Sequence, residues 1–182
     1  MPLPNEFGLL TKELILKYST KKITTLALTV SLALILSFIE SRIPAFVAIP
    51  GIKVGLANIA VIFTLYKLGV KEAVIVSVIR VLLVSILFGS PVSLIYSISG
   101  AVLSLFTMII LKKLTPLTEI AVSVWGGVMH NVGQICAASF MLETNVVIYY
   151  LPFLMLSGTV AGIAIGVVSG LLIKKVKIEK IK

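Results

Sequence analysis

Hydrophobic positions fall into six long runs along the chain, separated by short breaks that contain lysine, proline or glycine. A helix of about 20 apolar residues crosses a hydrocarbon core about 30 Å thick. The runs therefore predict six transmembrane helices, at residues 23–39, 54–68, 73–88, 92–111, 120–142 and 147–173. The second and third runs are short for a crossing, so we expect them to be tilted, broken or shielded inside a bundle.

The two ends of the chain have a different pattern. Residues 1–22 place Phe7, Leu10, Leu14 and Tyr18 at helical spacing, which predicts an amphipathic helix on the membrane surface. Residues 23–173 form the predicted transmembrane domain, and residues 174–182 form a basic tail. A cleaved signal peptide is not expected, because the first run is long and no small-residue cleavage site follows it.

The composition and the charge distribution both favour a multi-pass protein of the cell membrane. Hydrophobic residues make up 59% of the chain, and the mean hydropathy is +1.17. The net charge is +9, but thirteen of the 16 basic residues lie in the same alternate set of breaks or at the two ends. Flanking lysines of this kind mark the cytoplasmic side. Both termini are therefore predicted to be cytoplasmic, and nucleic acid is not an expected partner.

Several classes of chemistry are disfavoured by the residue inventory. All seven acidic residues are glutamates, and the chain has one histidine and one cysteine, Cys136. This composition argues against a disulfide, a multi-cysteine metal site and a Ser-His-Asp hydrolase. No phosphate-binding loop of the form GxxxxGK[ST] occurs. We therefore expect no enzyme activity, no metal and no cofactor.

Two rows of small residues predict close helix contacts. In the sixth run, Gly158, Gly162, Gly166 and Gly170 follow at four-residue steps, so they share one helix face that a neighbouring backbone can approach. This packing surface faces either the protein's own bundle or a partner. The first run has a softer pattern that suits packing in the bundle or docking of another membrane protein. Its members are Ala27, Thr29, Ser31 and Ala33.

A charge within an apolar run is the strongest functional signal in the sequence. Arg80 lies near the middle of the third run, where an unpaired charge costs several kcal/mol. It either forms a structural ion pair or lines a cavity and holds an anionic group with its guanidinium. Glu40, near the outer end of the first run, is the plausible carboxylate at similar depth. We favour the anion-binding interpretation.

Two further groups of polar residues occur in the predicted bundle. His130, Asn131 and Gln134 occur within five residues of the fifth run, as packing residues or as ligand-binding groups. Lys53 and Asn58 follow a proline- and glycine-shaped loop at the outer end of the second run. With Glu40, Arg42 and Arg80, these groups predict an outward-facing polar pocket for a small solute.

A family resemblance rests on three stretches. They are "IPGIKVGLANIAVIFTLYKLGVKEAVIVSVIRVLLVSILFGSPVSLIYSISGAVLSL", "GGVMHNVGQ" and "YYLPFLMLSG". Over residues 23–173 the chain resembles the Gx transporter family, also labelled heptaprenyl diphosphate synthase component I. That family is in turn similar to the S-components of energy-coupling factor (ECF) transporters. S-components are six-helix proteins with cytoplasmic termini, which capture a vitamin-like solute outside and dock on a coupling protein and two ATPases.

The resemblance implies an all-α, S-component-like membrane bundle with Lys53, Gly55 and Asn58 close to a ligand. S-components dock through an alanine-x-x-x-alanine pattern on helix one, and Ala27–Ser31 and Thr29–Ala33 are the corresponding pairs here. Prenyl diphosphate synthases bind magnesium and diphosphate through aspartate-rich motifs, which this chain lacks. The main expectation is therefore a substrate-binding subunit of an ECF-type transporter that takes a vitamin-like, anionic or amphipathic solute. The alternative is a non-catalytic membrane accessory or scaffold protein for isoprenoid, quinone or extracellular electron-transfer machinery.

Overall fold

The computed structural model of the protein describes residues 20–42 and 55–176, and all regular structure in these ranges is helical. The helices are α1 Thr20–Arg42, α2 Asn58–Lys67, α3 Val70–Phe88, α4 Pro91–Leu114, α5 Glu119–Met141, a short 3₁₀ helix Val146–Tyr150, and α6 Leu151–Lys175. The prediction of an all-α protein is confirmed. The predicted amphipathic helix before α1 and Lys53 lie outside the described residues.

Three helical segments are long and apolar enough to cross a membrane by themselves. They are Lys22–Arg42, Pro91–Leu114 and Val146–Lys175, the last comprising the 3₁₀ helix and α6. The chain is therefore a multi-pass membrane protein. Helix α3 has a suitable length of 19 residues but carries Lys71, Glu72 and Arg80, and α5 contains a polar cluster.

The helix ends follow local sequence signals. Ser90 accepts a hydrogen bond from the backbone N–H of Ser93 at the start of α4, and Pro91 occupies the first helical position. Thr118 caps α5 in the same way through the N–H of Ala121. Gly69 has a φ of 128° between α2 and α3, a conformation that favours glycine. This turn reverses the chain in two residues.

Helix α2 differs from the prediction of a crossing over residues 54–68. It has 10 residues, so it is about 15 Å long and spans about half of the hydrocarbon core. All residues from Asn58 to Leu65 are buried. The expectation that a short second run is shielded inside a bundle is confirmed. An apolar core surrounds this half-helix, with Ile62, Leu65, Met108, Val122 and Ile165 among its members.

Helix α2 is one member of a ring of helices. Helix α2 packs against α1, α3 and α6, and the sequence neighbours α3, α4, α5 and α6 pack in succession. Helix α1 also contacts α3. The contact between α2 and α6 thus closes the ring, and α1 packs against α2 and α3.

Helix α5 makes backbone-to-backbone contacts on two sides. A Cβ atom added at Gly162 of α6 would lie 2.6 Å from the Cα of Val124, and one at Gly127 would lie 2.5 Å from the carbonyl oxygen of Gly158. On the opposite side, a Cβ at Gly133 would lie 2.6 Å from the carbonyl oxygen of Ser99 in α4. Gly158, Gly162 and Gly166 therefore pack inside the protein's own bundle, whereas Gly170 has nothing within 4 Å.

Lysines gather at one end of the helices, which we call the lysine-bearing end: the start of α1 and α3 and the end of α2, α4 and α6. Here Lys22 Nζ lies 2.5 Å from Glu72 Oε1, and Lys112 Nζ donates to the carbonyl oxygen of Leu65 at 2.5 Å. Burial alone would raise the pKa of Glu72, but the contact with Lys22 holds this pKa below its ordinary value. The pair therefore ties α1 to α3 at neutral pH.

We expect Gly162→Ile to destabilise the bundle by about 1–3 kcal/mol, because the new side chain would overlap the backbone of α5. Gly170→Ile is the matched control on the same row, since a Cβ there meets nothing within 4 Å. Thermal unfolding in detergent measures both. An equal loss of Tm for the two variants would contradict the assigned contact.

Candidate functional site

A small polar cavity lies where α1, α3, α4 and α5 meet. Glu40 and Ser37 come from α1, Arg80 from α3, Ser97 from α4 and His130 from α5. Gly55, in the segment that leads into α2, completes the lining. Arg80, Glu40 and His130 are only 5–7% exposed. Three residues that the sequence predicted for a pocket, on three different helices, are thus brought together.

The electrostatics of this cavity are dominated by Glu40 and Arg80. The carboxylate of Glu40 accepts a hydrogen bond from the backbone N–H of Gly55 and attracts the Arg80 guanidinium. Nε of Arg80 has no hydrogen-bond partner among the described residues. Glu40 thus does two things: it compensates the buried cation and ties the segment before α2 to α1.

Gln134 extends the polar region along α5. It lies one helical turn beyond His130, and both side chains approach Gly100 of α4, whose added Cβ would lie 3.0 Å from His130 Cε1 and 3.0 Å from Gln134 Cγ. Gln134 is fully buried, and neither its amide nitrogen nor its amide oxygen has a partner among the described residues. Such a group costs free energy unless water or a ligand satisfies it.

The other predicted site residues lie elsewhere. Asn131 donates to the carbonyl oxygen of Leu154 at 2.6 Å, so its side chain joins α5 to α6. Arg42 is exposed and stacks over Phe38, with 4.9 Å between the guanidinium carbon and the ring centroid. Asn58 is buried in the turn that begins α2, beside Gly55. None of the three lines the cavity.

Sequence reasoning missed Ser37 and Ser97 as lining residues. Ser37 lies three residues before Glu40, so it shares a helix face with a residue already predicted. Ser97 resembles every other serine of α4 in the sequence, and no local signal separates it from them.

The proposed docking row of α1 divides between two faces. Thr29 and Ala33 are buried in the bundle, which removes them from any outer surface. Ala27 and Ser31 are exposed. A partner that approaches α1 from outside can therefore contact only the second pair.

The size of the polar cavity limits what it holds in this conformation. Its volume is about 20 Å³, which suits one water molecule, whereas pockets for small ligands enclose about 300 Å³ or more. In the described ranges, no group of three His, Cys, Asp or Glu residues is placed to hold a metal ion. A solute larger than water does not fit the cavity in this conformation.

Fold and site together define a class: a helical membrane protein with a buried, charged polar cluster inside a bundle. The family model described as heptaprenyl diphosphate synthase component I matches residues 29–172, and the chain belongs to this family. The resemblance seen in the sequence is confirmed for that family. No curated protein and no solved structure matches the chain.

Replacing Glu40 with Gln should destabilise the protein by about 3 kcal/mol, because Arg80 would remain charged and buried without its carboxylate. The double variant Glu40→Gln, Arg80→Gln should be more stable than Glu40→Gln alone. Thermal unfolding of the single and double variants in detergent forms the cycle that isolates the coupling. Additive effects would show that the two side chains do not interact.

Proposed function

We propose that the protein is a non-catalytic membrane subunit that works with a prenyl diphosphate synthase. The observation that carries this proposal is the family match, which covers nearly all of the described bundle. The family's description refers to one component of a synthase, so at least one other component shares the task. We assign the chemistry to that other component.

The residues of the chain support a non-catalytic role. Prenyl transfer needs carboxylates that hold magnesium against a diphosphate, and the sequence contains no aspartate. Of the glutamates in the helices, Glu40 contacts Gly55 and Glu72 pairs with Lys22. Both carboxylates are thus committed to structural contacts, and the third glutamate in the described helices, Glu119, is the first residue of α5.

The proposal includes a topology. We place the lysine-bearing end in the cytoplasm, because basic residues flanking membrane helices mark that side. Both termini are then cytoplasmic, and the Gly55 side of α2 faces the outer half of the membrane. A soluble synthase would meet the ends of α2, α4 and α6 and the start of α1, α3 and α5.

Affinity purification of the tagged full chain from its own membranes tests this role. We expect the catalytic component of a heptaprenyl diphosphate synthase to be recovered and identified by mass spectrometry. The purified chain alone, given allylic and isopentenyl diphosphates with magnesium, should form no longer product. Chain elongation by the isolated protein would contradict the proposal.

A second candidate function is solute capture by an S-component-like subunit. The observation that favours it is the convergence of Arg80, Glu40 and His130 with the unpartnered amide of Gln134. An anionic solute would compete with Glu40 for Arg80. Lys53, predicted at the outer mouth, would assist in binding, and Ala27 and Ser31 would meet the coupling protein.

The same purification separates the two functions. Recovery of a coupling protein and two ATPases, together with a small molecule retained in mild detergent, would favour solute capture. The variant Lys53→Gln, Arg80→Gln should then lose the retained molecule. Unchanged retention would remove these two residues from the site.

A further inference from the structure

An apolar groove of about 400 Å³ runs between α3 and α4. Its floor contains the buried residues Ser77, Val81, Ala101 and Leu105. Its rim contains larger exposed side chains: Val74, Val78, Leu82, Ile98, Val102 and Phe106. The groove exists because Ser77 and Ala101 are too small to fill the space between the two backbones. It opens on the surface that faces lipid.

The groove has the length of one membrane leaflet. It extends from Val74 to Leu82 along α3, about 12 Å, and from Ile98 to Ile109 along α4, about 17 Å. Half of the hydrocarbon core is about 15 Å. A hydrocarbon chain lying in the groove would therefore reach from the lysine-bearing end to about the middle of the membrane.

At the lysine-bearing end, each of the two helices that form the groove carries a lysine just beyond the residues that line it. Lys71 lies three residues before Val74, and Lys113 lies four residues after Ile109, so helical spacing keeps each lysine on the face of its wall. Both lysines are exposed. An anionic head at this end of the groove would meet two cationic side chains from two helices.

Two other grooves on the helix surface have no such charges. One of about 660 Å³ lies between α4 and α5 and is lined by apolar and small residues, and one of about 910 Å³ near the end of α5 includes Glu143. No lysine or arginine lines any of the three grooves, but only the α3/α4 groove has a lysine within about one helical turn of its lining on each of its two helices. Charge complementarity therefore selects the α3/α4 groove for an anionic amphiphile.

We propose that the α3/α4 groove binds the hydrocarbon chain of a prenyl diphosphate, with the diphosphate between Lys71 and Lys113. This inference rests on the proposed function and names the ligand that such a subunit would hold. A narrow groove between two helices suits one chain, whereas a phospholipid brings two. A diphosphate also carries more negative charge than the single phosphodiester of phosphatidylglycerol, so the paired lysines favour it.

Photo-crosslinking of the full chain in nanodiscs tests the site. The probe is a farnesyl diphosphate analogue with a benzophenone on its chain, and crosslinked peptides are mapped by mass spectrometry. We expect crosslinks in α3 and α4 at the groove residues, and competition by unlabelled farnesyl diphosphate but not by farnesol. Crosslinks that map elsewhere, or equal displacement by phosphatidylglycerol, would overturn the proposal.

Two pairs of matched variants sharpen the test. Lys71→Gln and Lys113→Gln should each weaken probe binding about fivefold, whereas Lys174→Gln and Lys175→Gln at the end of α6 should leave it unchanged. Ala101→Phe should abolish crosslinking by filling the floor, whereas Ala164→Phe on the exposed side of α6 should not. Val102→Trp at the rim replaces Ala101→Phe if that variant does not fold.

The affinity purification and the photo-crosslinking together distinguish failure of the proposed binding site from failure of the proposed function. Recovery of the synthase component without crosslinks in the groove would overturn the proposed binding site and leave the proposed subunit role in place. Groove crosslinks that depend on Lys71 and Lys113, without recovery of a synthase, would support the groove and contradict the subunit role.

Discussion

The close backbone packing of α5 between α4 and α6 is the contact on which the rest of the bundle depends. Glycines at Gly127, Gly133, Gly158 and Gly162 remove the side chains that would hold the three helices apart. In a membrane, lipid tails are as apolar as the helix surfaces, so association relies on packing and hydrogen bonds. The hydrogen bonds from Asn131 to Leu154 and from Ser99 to Gly133 add to the same contacts.

This packing also determines where the polar residues of α5 lie. With its glycine surfaces held by α4 and α6, α5 directs His130 toward Arg80 and Glu40, while Asn131 faces α6. A charge at mid-depth is tolerated because Glu40 compensates it and neighbouring helices exclude lipid. The half-helix α2 is accommodated on the same principle, since non-spanning structure at membrane depth has to be surrounded by protein.

Two regions of the bundle consequently have different properties. The cavity at Arg80 is charged and closed to about the size of a water molecule, whereas the α3/α4 groove is apolar, larger and open toward lipid. Val81 lines both. Helix α3 therefore has a polar surface inside the bundle and an apolar surface that faces lipid.

Hydropathy alone was sufficient for the helical class, the membrane location and most helix positions, because burial in hydrocarbon imposes long apolar runs. It also singled out Glu40, Arg80, His130 and Gln134, since polar groups are rare in such runs. Periodicity could not reveal that α2 is a buried half-helix. It also could not reveal that the side chains of Arg42, Asn58 and Asn131 do not line the cavity. Those outcomes depend on which helix lies opposite each face, and neighbours distant in sequence decide that through side-chain volume and close glycine contacts. For the same reason the α3/α4 groove appears only when Ser77 and Ala101, on different helices, are placed side by side.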